Sequence, residues 1–291
     1  MKKTNIDYYI DKFAKIINNG DLSQIILLKD GRVLKIYKDR VIPLLKSMGY
    51  DIEKILLESE KHEINSSIKK PLELIYQNNN FCGYIMDRAK GVSFNERNDK
   101  LPKRDINNLY KYARLHNNIE KIIKDSSDIV FPDLLTCDNI FVDKDLNIEL
   151  IDFDGFQLGN IKTIGMSTSL GSEQNIMSFN KYYNKDLGIF TKELDIKSLI
   201  HLYFLDVFNI DLNKVGLRNP YTGKIVTIDS LFEHLNLTNY DLMHKVWKIF
   251  EENEKNEYLG DVVFDIAERY NMTSIKMSLP GNIYLKKLTR K

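Results

Sequence analysis

The residues most able to do chemistry lie in two neighbouring stretches. The first is Phe131-Pro132-Asp133-Leu134-Leu135-Thr136-Cys137-Asp138-Asn139-Ile140-Phe141-Val142. The second is Ile148-Glu149-Leu150-Ile151-Asp152-Phe153-Asp154-Gly155. The apolar runs that follow Asn139 and precede Asp152 read as two strands around a turn at Asp143–Asn147. A tight hairpin of that kind sets Asn139, at the start of one strand, beside Asp152, at the end of the other. An amide oxygen and a carboxylate converging on one point suit Mg²⁺, which keeps waters and takes substrate phosphates for its other positions. A further acid nearby could position or deprotonate a hydroxyl nucleophile. Asp154 reads equally as a second metal ligand or as a solvated turn residue.

Two other readings of this region are weaker. Asp143, Asp145 and Asn147 mimic the start of a calcium loop, but position six would be Ile148 and position twelve Asp154. Glycine and glutamate are needed there, so a hairpin turn is expected. An Asp-Phe-Asp after a strand also occurs in nucleotide-sugar glycosyltransferases. The Asn-Ile-Phe-Val strand upstream and the Glu-Leu-Asp-Ile helix start downstream argue against that.

The elements that must position these residues change character near residue 90. Before it, strand-like runs dominate. Ile25–Leu28 and Val33–Tyr37 flank an Asp30-Gly31 turn, and Leu72–Tyr76 and Phe81–Met86 flank the polar turn Gln77–Asn80. A helix is expected over about 51–67, with Ile55, Leu56, Glu60, Ile64 and Ile68 near one face and Pro71 as its stop. Beyond residue 90, helices are expected over 105–124 and 194–207, with capping-box-like starts at Ser230 and Thr238. The expected fold class is α+β, divided into an N-terminal part (1–89) and a C-terminal part (90–291).

The whole chain narrows the classes of function. Its 291 residues are 43% hydrophobic and 29% charged, an ordinary globular composition. Net charge is +1, so no basic excess points to nucleic acid or an anionic membrane. Cys82 and Cys137 form neither a disulfide framework nor a zinc pattern, and the five histidines have no metal spacing. The first residues lack an apolar signal core, and no apolar run approaches a membrane span. A cytoplasmic protein without nucleic-acid or membrane partners is expected.

The Asn139 and Asp152 hairpin, taken with the elements before it, resembles the catalytic loop and metal motif of the protein-kinase-like superfamily, nearest its atypical bacterial and phage Ser/Thr members. The resemblance spans roughly residues 16–210. It implies a two-lobed fold, with a small antiparallel-sheet lobe carrying one main helix and a mostly helical second lobe. It also implies ATP and Mg²⁺ as cofactors and a protein or small-molecule hydroxyl as substrate. By resemblance, Val33-Leu34-Lys35 carries the lysine that holds the α- and β-phosphates, and Glu60, with Glu63 as second choice, is the helix glutamate that holds Lys35. Gly20 belongs to the phosphate-covering turn. Met86 is the gatekeeper, and Asp87 and Ala89 lie in the segment that holds adenine through backbone groups. Asn139 and Asp152 bind metal, Asp133 is the base, and Asp195 braces the catalytic loop.

Three departures from the family pattern stand in the sequence. The phosphate-covering turn, Asn18–Gln24, has one glycine. Asp133 lies six residues before Asn139, where the family places its base five before. Asp154 stands where the metal motif has its first glycine. These departures keep open a pseudokinase that binds nucleotide or a protein partner without catalysis. A small-molecule kinase of the aminoglycoside or choline type is a further alternative. Thr163, Ser167, Thr168, Ser169 and Ser172 are candidate modification sites in the segment that follows, though polar loop residues account for them as well.

Overall fold

The structure is a computed structural model, and it describes residues 1–94, 96, 106–132, 134, 138–163, 182–208, 212–227, 229–230 and 244. The fold is mixed α+β. Its largest element is a six-stranded sheet built from β1 (Lys2–Asn5), β2 (Phe13–Asn19), β3 (Ser23–Leu28), β4 (Val33–Tyr37), β5 (Pro71–Gln77) and β6 (Asn80–Met86). The strand order is β1-β5-β6-β4-β3-β2, antiparallel except for β1 against β5.

The turns follow from their residues. Gly31 takes φ +89° between β3 and β4, and its N–H bonds the Leu28 carbonyl at 3.0 Å. Asn78 and Asn79, both at positive φ, close β5 onto β6. Asn tolerates this left-handed backbone better than most residues, which is why such pairs make tight hairpins.

Both faces of the sheet are covered. On one face Val33, Tyr37, Leu74, Tyr84 and Met86 pack with Ile52, Ile55 and Leu56 of α3 (Ile52–Glu58). On the other, Leu28, Leu34, Ile75 and Ile85 pack under Tyr9, from the short α1 (Asp7–Ile10). The first face continues into the rest of the molecule. Ile140, Val142, Ile148 and Leu150 join the same core, as do Leu115, Ile119 and Ile123 of α4 (Ile106–Asp125) and Leu199 and Leu202 of α5 (Glu193–Phe208).

Among the described residues, the second region carries three small sheets. β7 (Val92–Ser93), β9 (Ile140–Val142) and β10 (Ile148–Leu150) form a small sheet in the order β10-β9-β7. β8 (Ile129–Val130) pairs with β11 (Gln157–Leu158), and β12 (Tyr183–Asn184) with β13 (Ile189–Phe190). The β9–β10 hairpin is tied to the large sheet in two ways. Residues 67–69 run beside β10, with the Leu150 N–H donating to the Ser67 carbonyl and the Lys69 N–H to the Leu150 carbonyl, each at 2.8 Å. Glu149 then accepts from the Lys90 N–H at 2.6 Å and pairs with the Lys69 ammonium at 2.8 Å. Gly91, at φ +85°, lets the connection pass so close that a Cβ there would lie 2.1 Å from the Val142 carbonyl oxygen.

One expectation needs correction, and three elements lie outside what was expected. The helix expected over 51–67 ends early: α3 gives way to a single 3₁₀ turn at Ser59–Lys61. Ser59 and Asn65 redirect the chain, Ser59 by donating to the Leu56 carbonyl and Asn65 by accepting the Ser67 N–H. Side chains of this kind compete with helix hydrogen bonds. A separate helix, α2 (Val41–Ser47), precedes it. Strands β1 and β2 were not legible, because Lys2–Asn5 carries no apolar alternation and β2 is an exposed edge. The four expected strands correspond to β3–β6, and the two expected long helices to α4 and α5. The helix starts at Ser230 and Thr238 lie at or beyond the edge of the described residues. No helix among the described residues is long and apolar enough to cross a membrane.

Candidate functional site

The site begins at the β9–β10 hairpin. Ile140 faces Leu150 and Val142 faces Ile148, with a turn in which Asp143 accepts the N–H groups of Asp145 and Asn147 at 2.8 and 2.9 Å. That carboxylate also takes the Asn147 amide at 2.9 Å, so it closes a turn rather than opening a calcium loop. The Asn139 carbonyl accepts the Ile151 N–H at 3.0 Å. Asn139 and Asp152 therefore leave the hairpin side by side, as the spacing predicts.

Asp152 sits at φ +69°, ψ +47°, a left-handed backbone unusual for a residue with a side chain. A 3₁₀ turn, Phe153–Gly155, follows, with the Gly155 N–H bonded to the Asp152 carbonyl at 2.9 Å. Phe153 is fully buried and packs against Phe156, which stacks edge-on with Phe131 at 4.8 Å. The turn is thus anchored in the core while Asp152 keeps 32% of its side chain exposed. Strain of this sort, held by surrounding packing, clusters at functional positions.

Lys35 comes to this turn from the large sheet. β4 alternates so that Val33, Lys35 and Tyr37 share one face, and Lys35 lies directly across from Tyr84 on β6. The Lys35 ammonium is buried and donates to the Asp152 carboxylate and to both Asp154 oxygens, at 2.9 Å each. Tyr37 and Tyr84 each donate a hydroxyl to Asp154 at 2.6 Å.

The electrostatics follow from this geometry. Burial alone pushes the Lys35 ammonium toward neutrality, but the two carboxylates overcome it and its pKa ends raised. Burial raises Asp154 likewise, yet Lys35 and the tyrosine hydroxyls win and hold it low. Burial and the Asp154 charge push Asp152 up, against the pull of Lys35. Tyr37 and Tyr84 are driven well above their ordinary value, first by burial and then by the Asp154 charge, so both stay protonated donors. One ammonium against two carboxylates leaves surplus negative charge at the more exposed acid.

The other expected residues fall as follows. Glu60 does not reach Lys35: it stands in the 3₁₀ turn, half-exposed, and pairs with the Met1 amino group. The early end of α3 is the physical reason. Gly20 lies at the tip of the β2–β3 hairpin, where an added Cβ would meet only ordinary contact, 3.6 Å from the Ser23 carbonyl. Met86 is buried at the end of β6, opposite Val33, and Asp87 and Ala89 follow it outside the sheet. Lys35 therefore lies between the Met86 end of its strand and the Gly20 end, where Tyr37 faces Ser23. Asp133 lies outside the described residues, as do Cys137, Ser167, Thr168, Ser169 and Ser172. Thr163 is buried, with its hydroxyl donating to the Asp154 carbonyl at 3.4 Å, which removes it from the accessible hydroxyls.

Asp195 is fully buried and accepts the Phe131 N–H at 2.7 Å, two residues before Asp133. Lys192 pairs with the same carboxylate at 2.8 Å and donates to the carbonyls of Ser126 and Ile129. Burial nevertheless pushes Asp195 up to about 6. It thus braces the chain on its way to Asp133.

Tyr37, Tyr84 and the buried role of Asp154 were not read from the sequence. The period-two alternation of β4 carried part of the signal, since it sets Tyr37 on the Lys35 face. Asn139 and Asp152 supply oxygen donors of the type that Mg²⁺ takes, and the surplus charge at Asp152 fits a cation there. Asp154 does not fit as a ligand, because its oxygens are occupied by four hydrogen bonds. No protein-family model matches the chain, and no curated protein matches it.

Proposed function

We propose that this protein is an ATP- and Mg²⁺-dependent phosphotransferase of two-lobed, protein-kinase-like architecture, with residues 1–89 as the sheet lobe and 90–291 as the helical lobe. One observation carries the reading: Lys35 and Asp152, 117 residues apart, meet in an ion pair at the strained end of a hairpin that also presents Asn139. A structural ion pair needs neither the left-handed backbone nor the partly exposed carboxylate.

In this reading Lys35 holds the α- and β-phosphates. Asn139 and Asp152 hold Mg²⁺, which when bound offsets phosphate charge. The adenine lies against Met86 and the backbone of Asp87–Ala89. Asp133 accepts the proton of the substrate hydroxyl as its oxygen takes the γ-phosphoryl group, and the bond to the β-phosphate oxygen breaks. Such a transfer is loose, and positioning plus charge stabilisation account for most of its catalysis. Asp195 supports Asp133 through the backbone of Phe131, two residues before it.

A second reading has its own observation. The Gly20 turn neither uses a positive φ nor needs the absence of a Cβ, so its backbone is not specialised for close approach to phosphate. That favours a nucleotide-binding module without transfer. Radiolabelled ATP, supplied to the protein alone and with cell lysate, separates the two. Transfer lost in Lys35→Ala and Asp152→Ala supports the phosphotransferase. Nucleotide-dependent stabilisation without transfer supports the binding module. Transfer unchanged in both variants removes the site.

A further inference from the structure

Among the described residues Asp154 is the charged group with the most hydrogen bonds to it, and the phosphotransferase reading gives it no task. It is 4% exposed. Its Oδ1 accepts from Tyr84 and Lys35, and its Oδ2 from Tyr37 and Lys35. A carboxylate has about four acceptor sites, so this set leaves none for a cation. The three donors come from neighbouring strands in fixed register, Lys35 opposite Tyr84 and Tyr37 two residues further along β4. The acceptor comes from the anchored 3₁₀ turn that also bears Asp152.

We infer that Asp154 is the positioning residue for Lys35, supported by Tyr37 and Tyr84, in the role that the resemblance gives to a helix glutamate. The inference rests on the phosphotransferase reading. Its consequence concerns control. A glutamate on a helix can move away and switch the lysine off. Here the phosphate-holding lysine and the metal-binding acid are set by one buried turn that packs against α3, so the helix supports the site through apolar contact and the carboxylates on Lys35 come from the turn. Of the two carboxylates on Lys35, only Asp152 is exposed enough to turn toward another cation: its side chain is 32% exposed, that of Asp154 6%. Lys35 then stays in place through Asp154.

The test uses the full chain and calorimetric titration with ADP and, separately, with adenosine. Lys35 touches phosphates only, so the ratio of the two affinities reads its position. General loosening of the fold weakens both ligands together. Asp154→Asn is expected to weaken ADP at least about tenfold, since hydrogen bonds to charged groups are worth roughly that much, and to leave adenosine within about twofold. Tyr37→Phe and Tyr84→Phe are each expected to weaken ADP about two- to fivefold, and Glu60→Gln to change neither ligand. Should Asp154→Asn fail to fold in a thermal melt, the double variant Tyr37→Phe/Tyr84→Phe carries the test. ADP binding at wild-type strength in these variants, or an equal loss in Glu60→Gln, overturns the assignment. Equal ADP binding by wild type and Lys35→Ala, or no binding of either ligand by wild type, instead overturns the nucleotide reading and the assignment with it.

Discussion

The two faces of the six-stranded sheet each bury a carboxylate among tyrosine and a cation, and they are built to different ends. On one face Glu73 accepts from Thr4 and Tyr9 at 2.9 Å and from Arg32 at 3.0 Å. Arg32 also grips Asp30, and Lys2 lies 3.5 Å from Glu73. Two cations meet two anions there, the backbone is ordinary, and the cluster fastens the N-terminal segment to the sheet. On the other face Lys35 alone meets Asp152 and Asp154, so one negative charge is left over. Asp152 is also the member with the strained backbone and the exposed edge. A balanced, relaxed cluster closes a structure. An unbalanced, strained one is ready for a further cation.

That contrast can be broken by experiment, and the largest effect belongs to the unbalanced face. Lys35→Ala and Asp152→Ala are expected to reduce ATP turnover by at least about 10²-fold, measured as phosphate release, because preorganised charge is worth that much in transfer chemistry. Arg32→Met, on the balanced face, is expected to leave turnover within about twofold of wild type. Equal losses on the two faces would erase the distinction.

Asp195 offers a third buried carboxylate as a control. Its pKa is raised from the ordinary 3.8 to about 6, so between those values the folded chain binds more protons than the unfolded one. Stability from this group is therefore greatest at low pH and falls as pH rises through that window. At about 1.4 kcal/mol per pH unit, wild type should lose up to ~3 kcal/mol relative to Asp195→Asn across it. Denaturant titrations at pH 4 and 6.5 check the sign.

Gly83→Ala sharpens the comparison from the backbone side. A Cβ at Gly83 would lie 2.2 Å from the Lys35 carbonyl oxygen, so β4 and β6 must separate where Lys35 faces Tyr84. The expected cost is about 2–3 kcal/mol in urea denaturation, with weaker ADP binding alongside. The smallest effect belongs to Arg32→Met, which should cost about 1–2 kcal/mol of stability, since Glu73 keeps its hydroxyl partners.

The contrast also shows which parts of the site were legible. The Asn139 and Asp152 pair could be read because a hairpin is local: strand, turn and strand lie within 14 residues. Asp195 could be read because its helix start carries it. Strands β3–β6 announced themselves through apolar runs and turn residues. Glu60 misled because a helix pattern over 51–67 counts apolar spacing and cannot weigh the local hydrogen bonds of Ser59 and Asn65 that end α3. The role of Asp154 was hidden for a different reason. Its partners are 70 to 119 residues away, and nothing in a local pattern says that two tyrosines and a lysine from the sheet will converge on it.

The central claim is that the Lys35–Asp152 face holds a nucleotide together with a metal. The direct measurement is calorimetric titration of ATP into wild type and Asp152→Ala, each with and without Mg²⁺. The account predicts that Mg²⁺ strengthens ATP binding by wild type and has no such effect on Asp152→Ala, with both proteins equally folded. ATP binding that responds to Mg²⁺ equally in the two proteins would contradict it.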